Sequence, residues 1–240
     1  MAEASNSRSA GRLAGLAYLA VIVFSAPGYM ILTGLLAGSP QAELARLAAN
    51  QTLLALALVS SVIGFAAWAP LALLLYRLMS GAGRIPAVLM VVLALAGVAA
   101  NLISLAQLLP IAVPAGPGMD AATLATSVQG YRRLVLLSQV FSGLWLFPFG
   151  WLVLRSRVAP RVLAFGLLAG GVFYCMVFAT AFAPSLHLTL AYRVLSPVTG
   201  IFGEVVGEMG ICLWLLLMGA RQAAIGRGTR RDAIGPLAQA

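Results

Sequence analysis

An all-α, polytopic bundle of six transmembrane helices with both termini cytoplasmic is the fold class this 240-residue sequence predicts, and three observations carry the prediction. The first is composition. Hydrophobic residues make up 62% of the chain, charged residues 9%, and the mean hydropathy is +1.00, against roughly 25% charged residues in an ordinary soluble domain. The second is length: six apolar runs exceed the ~20 residues a helix needs to cross a ~30 Å hydrocarbon layer. The third is arginine, which gathers at the ends of those runs. A β-barrel is excluded because the runs lack the alternating polarity it requires.

The six runs are Leu13 to Leu36, Thr52 to Tyr76, Pro86 to Leu109, Tyr131 to Leu154, Val162 to Phe182 and Val198 to Met218. The first follows Arg8 and Arg12 and so imitates a secretory signal. It continues past Pro27 to Leu36, beyond a ~7–15-residue signal core, and reads as a span. Short connections, RLMSGAGRIP and RSRVAPR, join the second span to the third and the fourth to the fifth. One long connection, Pro110 to Gly130, precedes the fourth. There Asp120 is placed to cap a short helix through the following Ala and Thr residues, and this helix is expected to run on into the fourth span. After Arg221 the chain is polar and Gly-rich, which predicts a disordered tail. The organisation is thus an N-terminal segment 1–12, one transmembrane domain 13–219 and a tail 220–240.

Of the fifteen arginines, Arg8, Arg12, Arg77, Arg84, Arg155, Arg157, Arg161, Arg221, Arg227, Arg230 and Arg231 fall on one side of the predicted spans and Arg46, Arg132, Arg133 and Arg193 on the other. An eleven-to-four excess places both termini in the cytoplasm by the positive-inside rule. Topology therefore accounts for the net charge of +9, and no nucleic-acid partner is implied. The absence of Lys alongside abundant Ala, Leu, Gly and Val matches the codon bias of a GC-rich bacterium, and so an inner (plasma) membrane location.

Two of the chain's six acids, Glu204 and Glu208, stand four residues apart inside the last span, in GIFGEVVGEMGICLWLLLMG. A carboxylate near a bilayer centre costs roughly 2.5–3.5 kcal/mol on insertion scales, so these are the prime candidate functional residues. Two carboxyl groups one turn apart in low dielectric do not both ionise readily, and at least one is expected to hold a proton at neutral pH. Other polar side chains also gather in the half of each span distant from the termini: Tyr29 and Thr33, Ser60 and Ser61, Asn101 and Ser104, Ser138 and Gln139, and Thr180. Together they suggest a polar cavity open to the outside with Glu208 at its floor, fit to bind or move a small solute or protons. Interhelical hydrogen bonding is the simpler account of the hydroxyls.

Gly200, Gly203, Gly207 and Gly210 share one stripe of the sixth helix, with the glutamates on a neighbouring stripe about 100° around. Such a stripe predicts a packing face within the bundle, or alternatively a seam with a second copy or another membrane protein. Pro27, Pro70 and Pro148 lie within spans and predict kinks. Arg193 is placed either to pair with Glu204 or to reach the headgroups. Cys175 and Cys212 read as small packing residues.

The stretches RLAGLAYLAVIVF, FSGLWLFPFGWLVLRSRVAPRVLAFGLLAGGVFY and GEVVGEMGICLWLLLMG together resemble the bacterial integral-membrane family catalogued as domain of unknown function 4386, over most of Arg12 to Gly219. The resemblance implies a multi-pass protein, and Glu208 fills the family's late G-E position, whereas Glu204 does not match that pattern. It brings no substrate, cofactor or catalytic residue. Besides a solute- or proton-handling protein, two classes fit: a structural or regulatory membrane partner, and an enzyme acting on lipid. The second has no HExxH pair, G-x-S-x-G elbow or metal-ligand cluster to support it. No cofactor is implied, and the lipid bilayer is the one certain environment.

Overall fold

Helices that face lipid on one side and protein on the other are apolar all round, so hydrophobic contrast does little to fix how they pack. Small residues that let backbones approach, and scattered polar groups that find partners, do so instead. The computed structural model describes residues 2–112 and 121–219. Its helices are α1 (Ala2–Leu35), α2 (Pro40–Ala49), α3 (Gln51–Met79), α4 (Arg84–Ala106), α5 (Leu109–Ala112), α6 (Ala121–Leu144), α7 (Leu146–Ser156), α8 (Arg161–Ala179), α9 (Leu190–Ile201) and α10 (Gly210–Met218). A 3-10 turn (Pro184–Leu188) precedes α9, and a π-helical segment (Phe202–Met209) joins α9 to α10.

Six stretches are long and apolar enough to cross a membrane: Arg8–Leu35, Gln51–Met79, Arg84–Ala106, Ala122–Ser156, Arg161–Ala179 and Leu190–Met218. Several bounds correct the sequence expectation. The fourth span begins with α6, about ten residues before Tyr131, because the Ala/Thr-rich helix does run into it; Asp120 itself lies outside the described residues. Trp145 separates α6 from α7 three residues before Pro148, whose missing N–H and ring loosen the preceding turn. The third span ends at Ala106, and Leu109 opens the separate short helix α5 with Pro110 in its first turn, where proline is tolerated. The fifth ends at Ala179, so Phe182 lies in turns beyond it. The sixth starts eight residues early, at Leu190, because Thr189 caps it: its side chain accepts from the Tyr192 N–H at 3.2 Å.

Each span packs against the next, α1 on α3, α3 on α4, α4 on α6 and α7, α6 and α7 on α8, and α8 on α9 and the π segment. The return of α10 onto α1 closes a ring. Close backbone approach makes these contacts. A Cβ at Gly15 would stand 2.5 Å from the Leu216 nitrogen, and one at Gly64 would stand 2.7 Å from that of Ser25. Ser60 donates to the Phe24 carbonyl at 2.7 Å across the same α1–α3 seam.

Arg8 and Gly219 lie together, so the start of the first span and the end of the last meet at one end of the bundle, the basal end. Two apolar clusters fill the ring. The basal one includes Tyr18, Leu71, Leu75, Met90, Phe149, Leu152 and Leu215. The distal one includes Leu32, Leu54, Leu108, Ile111 and Tyr131. Over the distal cluster, α2 is tied down by Arg132, which reaches both the carboxylate of Glu43 and the Leu36 carbonyl; Arg46 Nε donates to the Leu35 carbonyl at 3.3 Å. Two cations thus satisfy the orphan carbonyls at the end of α1. Removing Arg132 would leave a buried Glu43 unpaired. Arg132→Ala is therefore expected to cost about 1–3 kcal/mol, seen as a lowered thermal midpoint in detergent, and Glu43→Gln less.

Candidate functional site

The sixth span departs from α geometry where its two glutamates lie. Phe202–Met209 winds with the i→i+5 pattern, and the Gly210 N–H still bonds the Val205 carbonyl. Its neighbour explains what holds it there. Gly203 lies on the backbone of Gly170, and a Cβ on Gly207 would stand 2.6 Å from both Gly166 C and Leu167 N of α8. Gly200 meets Phe173 and Gly210 meets Leu163. All four glycines of the stripe are thus seated on α8 of the same chain. They form a seam within the bundle, and this face is already occupied against a second copy.

With the glycines against α8, the glutamates meet tyrosines of α1 and of α8. Tyr18, buried on α1, donates its hydroxyl to Glu208 Oε2 at 3.1 Å. Tyr174 of α8 donates to Glu204 Oε1 at 3.5 Å. Glu204 is exposed and Glu208 half-buried, so the pair is graded from open to covered along one segment. A mid-span tyrosine buried like Phe but carrying a hydroxyl needs a polar partner. That was the available signal for Tyr18 and Tyr174, which sequence reasoning did not single out.

An aromatic relay extends from this cluster across the ring. The Tyr18 ring lies 6.0 Å from Trp68 of α3, which meets Trp145 edge-on at 4.7 Å, and Trp145 stacks on Phe149 at 5.1 Å. Beside Trp68 and Trp145 lies a partly open pocket of about 60 Å³, also lined by Phe65, Gly97, Asn101, Phe141 and Ser142.

The remaining candidates are distributed over several places. Asn101 donates to the Gly97 carbonyl at 2.9 Å and accepts from Ser138 at 3.2 Å, joining α4 to α6. Gln139 donates to the Val135 carbonyl at 3.2 Å, Ser61 to Ala57 at 2.8 Å, Ser104 to Ala100 at 2.8 Å and Thr180 to Val177 at 2.6 Å, all within or at the end of their own helices. Ser60 belongs to the α1–α3 seam. Tyr29 is 56% exposed, and Thr33 bonds the Tyr29 and Met30 carbonyls. The structure therefore brings the two glutamates together and sets Asn101 at the neighbouring pocket. Among the described residues no hydrogen bond joins Asn101, Gln139, Ser60, Ser61 or Tyr29 to either glutamate, and no ion pair joins exposed Arg193 to Glu204. Cys212 packs its thiol 3.7 Å from the Gly15 carbonyl and Cys175 abuts Gly143, both structural positions.

A family model described as "Domain of unknown function (DUF4386)" matches residues 13–219. The chain belongs to this family. The DUF4386 match takes in Tyr18, Trp68, Asn101, Trp145, Tyr174, Glu204 and Glu208, so the whole candidate site lies inside the family's own domain. Comparison with curated proteins and with solved structures returned no match.

Proposed function

We propose that this protein is a bacterial inner-membrane carrier that moves protons, linked to a small solute, through the Glu204–Glu208 pair. Both termini face the cytoplasm in this reading, as the arginine distribution implies; Glu204, at the middle of the span Leu190–Met218, then lies on the exterior side of Glu208, and the pair is approached from that side. The observation that carries it is the graded pair: an exposed carboxyl one turn from a half-buried one, each held by a tyrosine hydroxyl from a different helix. A carboxyl that exchanges a proton must meet water on one side and a hydrogen-bonding group on the other. Glu204 supplies the first contact and Glu208, backed by Tyr18, the second. The π segment supports the assignment, since such windings recur at functional sites in helices.

The test is reconstitution into liposomes carrying an internal pH-sensitive dye. A pH step applied outside is expected to be dissipated faster than in protein-free liposomes. Dissipation at the protein-free rate, both alone and with candidate solutes added, would remove the basis for proton movement.

A further inference from the structure

We propose that the pocket between the second, third and fourth spans binds a small organic monocation of the alkylammonium class, a proposal that names the solute of the carrier reading above and rests on it for its link to proton movement. Phe65 and Trp68 of α3, Phe141 of α6 and Trp145 contribute four aromatic rings to the lining, which Leu93, Ala94 and Val98 of α4 share, and the two indoles stand at 89° to each other, 4.7 Å between centroids, as the corner of a box. Aromatic faces attract a cation held within about 6 Å, most strongly when it is desolvated, and tryptophan is the best of them.

Stretches 13–35, 51–76, 85–106, 134–154, 162–179 and 194–218 contain no Lys, Arg or His and two acids, Glu204 and Glu208. These stretches therefore hold no basic group to pair with an anion. Trp68 lines the pocket and also meets the Tyr18 ring, and Tyr18 holds Glu208, so a chain of contacts runs from the pocket to a carboxyl group.

About 60 Å³ of room is several times the ~10–15 Å³ that a single water needs, enough to admit a small organic ion. Asn101 and Ser142 in the lining carry oxygens that can accept from a substituted ammonium.

The experiment measures binding of tetramethylammonium to the full chain in nanodiscs by equilibrium dialysis, with tert-butanol as a neutral molecule of similar size and acetate as an anion. Saturable binding of the cation alone is expected. Trp68→Leu is expected to weaken it about tenfold or more and Trp68→Phe a few-fold, since a ring is kept. Phe141→Leu, a milder change in volume, provides a second reading if Trp68→Leu does not fold. Absence of saturable binding, equal binding of tert-butanol, or affinity unchanged in both Trp68→Phe and Phe141→Leu would each overturn the proposal. The two readings separate cleanly. Proton flux without cation binding leaves the carrier and removes the aromatic box, whereas cation binding without proton flux leaves the box and removes the carrier.

Discussion

Glu208→Gln is expected to reduce proton flux in proteoliposomes to the protein-free rate while leaving the thermal midpoint of the protein within a few degrees. The substitution keeps the volume and the oxygen that accepts from Tyr18, so the packing between α1 and the π segment survives. It removes the one property the carrier reading needs, which is the capacity to take up and release a proton. Glu204→Gln, at the exposed member of the pair, is expected to slow flux without abolishing it, because Glu208 keeps its own carboxyl group and its Tyr18 partner. Tyr18→Phe removes a hydrogen bond to a chargeable group, worth about 1.5–3 kcal/mol, and should lower flux roughly tenfold or more. A protein in which Glu208→Gln destabilises the fold but leaves the flux of the folded fraction intact would show the carboxyl group to be interhelical glue.

The second large effect concerns the seam between α8 and the π segment. Gly207→Ala would set a methyl carbon 2.6 Å from the α8 backbone at Gly166 and Leu167, where no side chain can swing aside. The helices must separate. Overpacking of this kind costs about 1–3 kcal/mol or more, and Gly207→Leu is expected to yield no stable protein. Gly34→Ala in α1 is the matched control, since a Cβ there meets nothing within 4 Å. It should be neutral or stabilising by up to about 1 kcal/mol from helix propensity. Thermal midpoints in detergent read both. If Gly207→Ala and Gly34→Ala behaved alike, the close approach of α8 to the π segment would be wrong.

The six spans were legible because each is a near-continuous apolar run without the alternating polarity of a barrel strand, which in lipid satisfies its backbone as a helix. The glutamates were legible for the same reason: a charge in such a run is conspicuous. The π winding was not. FGEVVGEM carries no local signature separating π from α, and the winding coincides with contacts between Gly203 and Gly207 and glycines of α8 more than thirty residues earlier. Likewise Tyr18 and Glu208 are 190 residues apart, and only closure of the ring by α10 on α1 brings them together. The helix α2 is a different case. Ser39 as cap, Pro40 in the first turn and Glu43 close behind are a helix-start pattern that sequence reasoning passed over. Its Glu43 then gives Arg132 an ion-pair partner. The dispersal of Asn101, Gln139, Ser60, Ser61 and Tyr29 follows from hydroxyls and amides finding carbonyls on their own or an adjacent helix before they find one another.

Water access to the glutamate pair is the central claim, and thiol labelling tests it most directly. In a chain with Cys175 and Cys212 replaced by alanine, Glu204→Cys and Glu208→Cys would be exposed in intact cells to a membrane-impermeant thiol reagent. The account predicts modification of both from the exterior, faster at position 204 than at position 208. Failure of the reagent to reach either cysteine from outside, with both unreactive also from the cytoplasmic face in inverted vesicles, would contradict it.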